Sequence, residues 1–97
     1  MIEYEERRAV YARAIMQNGA QLQLIVALEE LSEAQKEICK HLRGCGNVEH
    51  LAEEVADATI MLEQIRMMYG INESVCQYMD AKVLRLADRL QAGDNLK

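Results

Sequence analysis

The chain has 97 residues and a formal net charge of −5, with 51% hydrophobic residues and no Pro, Phe or Trp. That apolar content excludes intrinsic disorder, and a Pro-free chain rich in Ala, Leu, Glu, Arg, Gln and Met argues against an all-β or loop-rich fold. The length accommodates one domain, 1–97, with a thin core that oligomerisation would complete.

Four helical segments follow from the apolar periodicity, separated by three glycine-marked breaks. The first runs from about Glu3 to Gln17 and ends at Asn18-Gly19, a pair suited to a helix C-terminus. The second runs from about Gln21 to Arg43, with Leu24, Leu28, Leu31, Ile38 and Leu42 as its expected core stripe. Gln35 interrupts that stripe, either as a buried register-fixing amide or at an interface edge. After Gly44-Cys45-Gly46, Asn47 is the expected N-cap of the third segment. Its stripe is Val48, Leu51, Val55, Ala58, Leu62 and Ile65, and Gly70 is its stop. Asn72 is the expected cap of the fourth, whose stripe is Val75, Met79, Val83, Leu86 and Leu90, closed by Gly93. One-sided stripes on four helices predict an all-α antiparallel helical bundle, with a homodimer or homotetramer sharing the core.

Charge is unevenly spread along these segments. Residues 1–28 balance, 29–63 carry nine acids against three bases, and 64–97 carry five bases against four acids. No Lys/Arg cluster dominates any segment, so a nucleic-acid-binding surface is not expected. The longest apolar run, Leu24–Leu28, is far below a membrane span, and the acidic N-terminus lacks a secretory pattern. Three cysteines cannot all pair within one chain, which fits a reducing, cytoplasmic setting.

The acids fall into two motifs. The second helix carries Glu29-Glu30-Leu31-Ser32-Glu33 and the third Glu53-Glu54-Val55-Ala56-Asp57. Glu30 and Glu33 lie three apart, on neighbouring turns of one face, and so do Glu54 and Asp57. An antiparallel hairpin would bring the four carboxylates together at the border of the core. Partly desolvated carboxylates repel unless a cation neutralises them, and oxygen-only donors favour Mg²⁺ or Mn²⁺ over zinc. The plain alternative is a solvated acidic face, with Glu30 pairing to Lys36 and Lys40. On the last helix Lys82, Arg85 and Arg89 share a face with Tyr78, as a phosphate contact or as a solvated basic face pairing with Asp80 and Asp88.

Other signals carry less. Cys39, His41, Cys45 and His50 lack zinc-site spacing. No acid stands three residues before either histidine, as a di-iron bundle requires. Gly44-Cys45-Gly46 lacks the remaining positions of a phosphate loop. Cys76 and the six Met residues read as packing.

Over roughly residues 20–90, the paired motifs resemble the MazG-like, all-α nucleoside triphosphate pyrophosphohydrolases. The likeness extends to Ala27-Leu28, Lys40-His41-Leu42-Arg43-Gly44, Leu51-Ala52 and Ile60-Met61-Leu62-Glu63-Gln64, as in small phage and bacterial members. It also takes in Lys82-Val83-Leu84-Arg85-Leu86. The resemblance implies hydrolysis of a nucleoside or deoxynucleoside triphosphate to the monophosphate and pyrophosphate. It maps Glu30, Glu33, Glu54 and Asp57 onto Mg²⁺ ligands, with Mn²⁺ as a substitute. Glu29 and Glu53 then support the ligands or orient water, and Lys82 and Arg85 contact phosphate. Lys36 and Lys40 are weaker phosphate candidates. The Trp residues that many members place around the base are missing here. The alternative function is a non-catalytic acidic helical interaction protein.

Overall fold

A computed structural model describes residues 1–93. It contains four helices: α1 (Tyr4–Asn18), α2 (Ala20–Leu42), α3 (Val48–Tyr69) and α4 (Asn72–Gln91). No strand is present among the described residues, so the chain is all-α. No described helix is long and apolar enough to cross a membrane.

The helix ends follow local chemistry. Asn47 caps α3 as expected, its Oδ1 accepting from the backbone N–H of Glu49 at 2.8 Å and of His50 at 3.2 Å. Gly70 closes α3 in the left-handed region, at φ 61°. The Ile71 N–H reaches the Arg66 carbonyl at 3.0 Å and the Gly70 N–H the Met67 carbonyl at 3.2 Å, the paired bonds of a Schellman closure. Asn72 departs from expectation. Ile71 is the cap residue, and Asn72 is already helical, its Oδ1 accepting from Arg66 at 3.2 Å.

α2 and α3 form the main packing unit, α1 packs against both, and α4 touches α3 alone. The α2–α3 pair is antiparallel, as shown by Gln23 meeting Gln64 while Glu30 meets Asp57 farther along. Its seam holds Gln23, Ala27 and Glu37 of α2 against Ala58, Met61 and Gln64 of α3, all buried. Tyr11 is the buried residue of α1.

This seam is not the face that apolar periodicity selected. The expected α2 stripe is largely open to solvent, with Leu28 69%, Ile38 53% and Leu42 84% exposed. Val48, Val55 and Leu62 of the α3 stripe are exposed as well, whereas Ala58 of that stripe is buried and Leu24, Leu51 and Ile65 are half-buried. At ~100° per residue, the centre of each stripe lies roughly 90–100° round its helix from the buried seam. The apolar stripe of α4 has no fully buried member either. Gln35 is exposed, on the same open side of α2. Two alanines, Met61 and the polar side chains of Gln23, Glu37 and Gln64 fill the seam, while most of the large aliphatic side chains of the two stripes stand outside it.

Candidate functional site

The site grows out of the seam's register. Gln23, Glu30 and Glu37 recur every seven residues on α2, and Gln64 and Asp57 do so on α3. Residues seven apart fall on nearly the same face of a helix. Gln23 Nε2 donates to Gln64 Oε1 at 2.7 Å in a buried amide pair, and Asn18 Nδ2 donates to Gln23 Oε1 at 2.9 Å. One heptad onward along α2, and one back along α3, the same register sets Glu30 against Asp57. Glu54, three residues before Asp57, joins them from the preceding turn of α3.

Glu30, Glu54 and Asp57 each offer a carboxylate oxygen within 4.8 Å of the others. Glu30 and Glu54 are half-buried and Asp57 is exposed. Burial first, then the charges of Asp57 and Glu54, a hydrogen bond to Asp57 and the charge of Glu33 push the Glu30 carboxyl above its ordinary range. Burial also leads for Glu54, followed by the charges of Asp57, Glu33, Glu37 and Glu53. Every neighbour in both sets is an acid. The nearby cations are engaged at the margin, Lys36 with Glu33 at 3.9 Å and Lys40 with Glu37 at 3.2 Å. The arrangement is an excess of negative charge in a partly dehydrated notch, made of hard oxygen donors.

Of the sequence-predicted residues, Glu30, Glu54 and Asp57 are brought together. Glu33 lies one turn along α2, exposed but close enough to act on both Glu30 and Glu54. Glu29 and Glu53 are exposed. Lys36 is exposed and paired to Glu33. Lys82, Arg85 and Arg89 line a shallow groove on α4 with Met79, Val83 and Leu86. Because α4 packs only on α3, and the ion pairs of the described residues include none of these three, the structure does not bring them to the carboxylates. Tyr78 is exposed on the same helix. Two other tyrosines, Tyr4 and Tyr11, line a cavity of about 350 Å³ with Arg8, Glu63 and Arg66 at the junction of α1, α3 and α4.

Glu37 was missed. It is only 7% exposed, its Oε1 accepts from Lys40, and its Oε2 is buried without a partner. Its signal in the sequence was the heptad step from Glu30, which places it on the seam rather than on the solvated face. The Cys39, His41, Cys45 and His50 group does not converge as ligands; among the described residues the converging group is the three acids. His41 instead packs over Gly46, where any side chain would collide with the imidazole.

No family model matches the chain, and neither a curated protein nor a solved structure matches it.

Proposed function

We propose that this chain hydrolyses nucleoside or deoxynucleoside triphosphates to the monophosphate and pyrophosphate, with Mg²⁺ or Mn²⁺ as cofactor. The observation that carries the reading is the convergence of Glu30, Glu54 and Asp57, which no ion pair among the described residues neutralises. Three acids with all-oxygen donors and unbalanced charge fit a hard dication better than a soft one. The resemblance of the two acidic motifs supplies the reaction class.

In this reading Glu30, Glu54 and Asp57 hold the cation, and Glu33 adds a fourth carboxylate from the next turn of α2. When bound, such a cation polarises the triphosphate and lowers the pKa of water at the site. The chain's own part is to hold these groups in place and to manage the proton. The amide pair Gln23–Gln64 and the antiparallel seam keep the acids in register, which pre-organises the site. Of Glu29 and Glu53, both adjacent to the ligands and open to solvent, one would orient the water and accept its proton as its oxygen bonds to the α-phosphorus and the bond to the pyrophosphate leaving group breaks, while the other would support the ligands. Lys36, exposed and paired with Glu33 at 3.9 Å, would exchange that carboxylate for a phosphate oxygen. Lys82 and Arg85 enter through the resemblance alone.

The deciding experiment measures pyrophosphate release from a panel of ribo- and deoxynucleoside triphosphates, with and without Mg²⁺, for the wild type and Glu54→Gln. Metal-dependent release that the substitution abolishes is the expected result, and the panel ranks the bases. No release from a folded protein would move the acidic interaction protein to first place.

A further inference from the structure

The cavity at the junction of α1, α3 and α4 lies towards the C-terminal end of α3, away from the carboxylate notch. Arg66 stands nine residues past Asp57, about 13 Å of helix at roughly 1.5 Å per residue, and none of the notch acids lines the cavity. Its charged groups are not paired with one another. Among the described residues, neither Arg8 nor Arg66 forms an ion pair. Arg66 is held by neutral groups, its Nη1 donating to Asn72 Oδ1 at 3.2 Å and its Nη2 to Met79 Sδ at 3.5 Å. Arg8 lies with Cζ 5.7 Å from the centre of the Tyr4 ring and Nη1 3.5 Å from the Tyr4 hydroxyl. The half-buried acid of the cavity, Glu63, is already engaged, accepting from the Tyr11 hydroxyl and standing 3.8 Å from Arg7. Both guanidiniums therefore keep their charge, and each carries more N–H donors than these contacts use. Glu73, exposed in the first turn of α4, is the other acid on the wall.

We propose that this cavity binds a planar ring bearing a phosphomonoester, that is a nucleoside monophosphate, without a metal ion. Arg8 and Arg66 take the phosphate oxygens, which their forked donors match in pairs. The Tyr4 side chain, 56% exposed and already carrying Arg8, gives the base an aromatic partner. Tyr11 and Met67 supply apolar wall, and Glu73 accepts from an exocyclic amino group of the base. The volume of about 350 Å³ falls in the range of small-molecule pockets, roughly 300–1,000 Å³. Free phosphate would leave the rings unused, and an unphosphorylated nucleoside would leave both guanidiniums unmatched. The cavity also differs from the notch in the sign of its free charge. The notch is acidic and accepts phosphate only through a cation, whereas the cavity provides the positive charge itself. The assignment therefore stands or falls independently of any hydrolysis at the notch.

The test titrates the full-length chain in chelator and follows its backbone amide signals by NMR. The probes are a panel of nucleoside monophosphates, the matching nucleosides and inorganic phosphate. Saturable shifts are expected at Arg66, Gly70 and Asn72 with a monophosphate, and none at Glu30 or Asp57. The nucleoside and inorganic phosphate are each expected to bind about tenfold more weakly or worse. Arg8→Gln and Arg66→Gln should each cost about tenfold in affinity or more, because each removes charge-assisted bonds to the phosphate. Arg66→Lys, which keeps the charge and loses the fork, should recover part of the loss. Arg13→Gln, exposed on α1 outside the cavity, and Glu54→Gln, in the notch, should leave binding unchanged. If Arg66→Gln does not fold, Arg8→Gln decides, since its side chain lies on the exposed surface of α1. No shift with any monophosphate at millimolar concentration would overturn the proposal. So would inorganic phosphate binding as tightly as the monophosphate, or affinity that ignores the arginine substitutions. Binding that disappears in Glu54→Gln would overturn it too, by returning the ligand to the notch.

Discussion

Single side chains in this molecule do much of the work that a larger core would otherwise share. Tyr11 is the clearest case. It is buried, its hydroxyl donates to Glu63, and Arg7 approaches the same carboxylate at 3.8 Å. Burial first, then the bond to Glu63 and its negative charge, push the Tyr11 hydroxyl up to about 12. A folded-state pKa above the unfolded value of about 10 means that the folded protein holds its proton longer. The stabilisation is therefore complete below pH 10 and is lost as pH rises from 10 towards 12. Tyr11→Phe is expected to lower stability by about 1–2 kcal/mol at pH 8. The difference from the wild type should shrink in urea melts at pH 11, and a gap constant across that window would contradict the assignment. The Gln23–Gln64 pair makes a second prediction at this scale. Gln64→Leu leaves the Gln23 amide without its buried acceptor and is expected to destabilise by about 1–3 kcal/mol. Gln23→Leu with Gln64→Leu should do less than the sum of the single changes, because two apolar residues leave no orphan between them. A double-mutant cycle by urea melts reads this coupling directly.

At the scale of elements, the helices were readable from the sequence and their packing was not. Periodicity, glycine stops and Asn47 located the four helices to within a residue or two. The paired acids were readable for the same reason: spacings of three put Glu30 with Glu33, and Glu54 with Asp57, whichever way the helices turn. What periodicity could not reveal was the face that meets the neighbouring helix. An apolar stripe marks burial against something, and sequence alone does not distinguish the chain's own helix from another chain's. Here the seam took Ala27, Ala58, Met61 and the polar heptad of Gln23, Glu30 and Glu37, and Leu28, Leu31, Leu42 and Leu62 were left outside. Glu37 escaped notice because an acid in a charged stretch reads as solvated until the register of its helix pair is known. The element most exposed to a local test is the N-terminus of α3, which supplies Glu54 and Asp57. Asn47→Ala removes the side-chain oxygen to which the Glu49 and His50 backbone N–H groups donate and is expected to lower stability by about 1 kcal/mol. Thermal melts at one protein concentration would measure it, and Asn47→Asp should restore most of the loss.

For the whole molecule, the decisive quantity is where its charge sits. A net charge of −5 on a small chain is ordinary, but nine of its sixteen acids fall in 29–63 and three of these, Glu30, Glu54 and Asp57, converge on one notch of the α2–α3 seam. Without a counter-ion, Glu30 and Glu54 press on each other and on Asp57, and the folded state carries that repulsion while the unfolded chain spreads it out. General screening by salt relieves only part of it, because half-buried groups are screened less than exposed ones. A dication that binds the folded form alone stabilises it by mass action, to about 2.7 kcal/mol at a hundred times its dissociation constant. The metal-stripped protein is therefore expected to melt at a higher temperature in millimolar Mg²⁺ or Mn²⁺ than in NaCl of the same ionic strength. Glu54→Gln removes one member of the repelling set, so it should be more stable than the wild type in chelator and nearly indifferent to added Mg²⁺. The two curves should cross as the metal concentration rises. That crossing is what separates a cation site from an acidic surface: on a surface, the substitution would change little in chelator, and Mg²⁺ would act on both proteins alike through ionic strength.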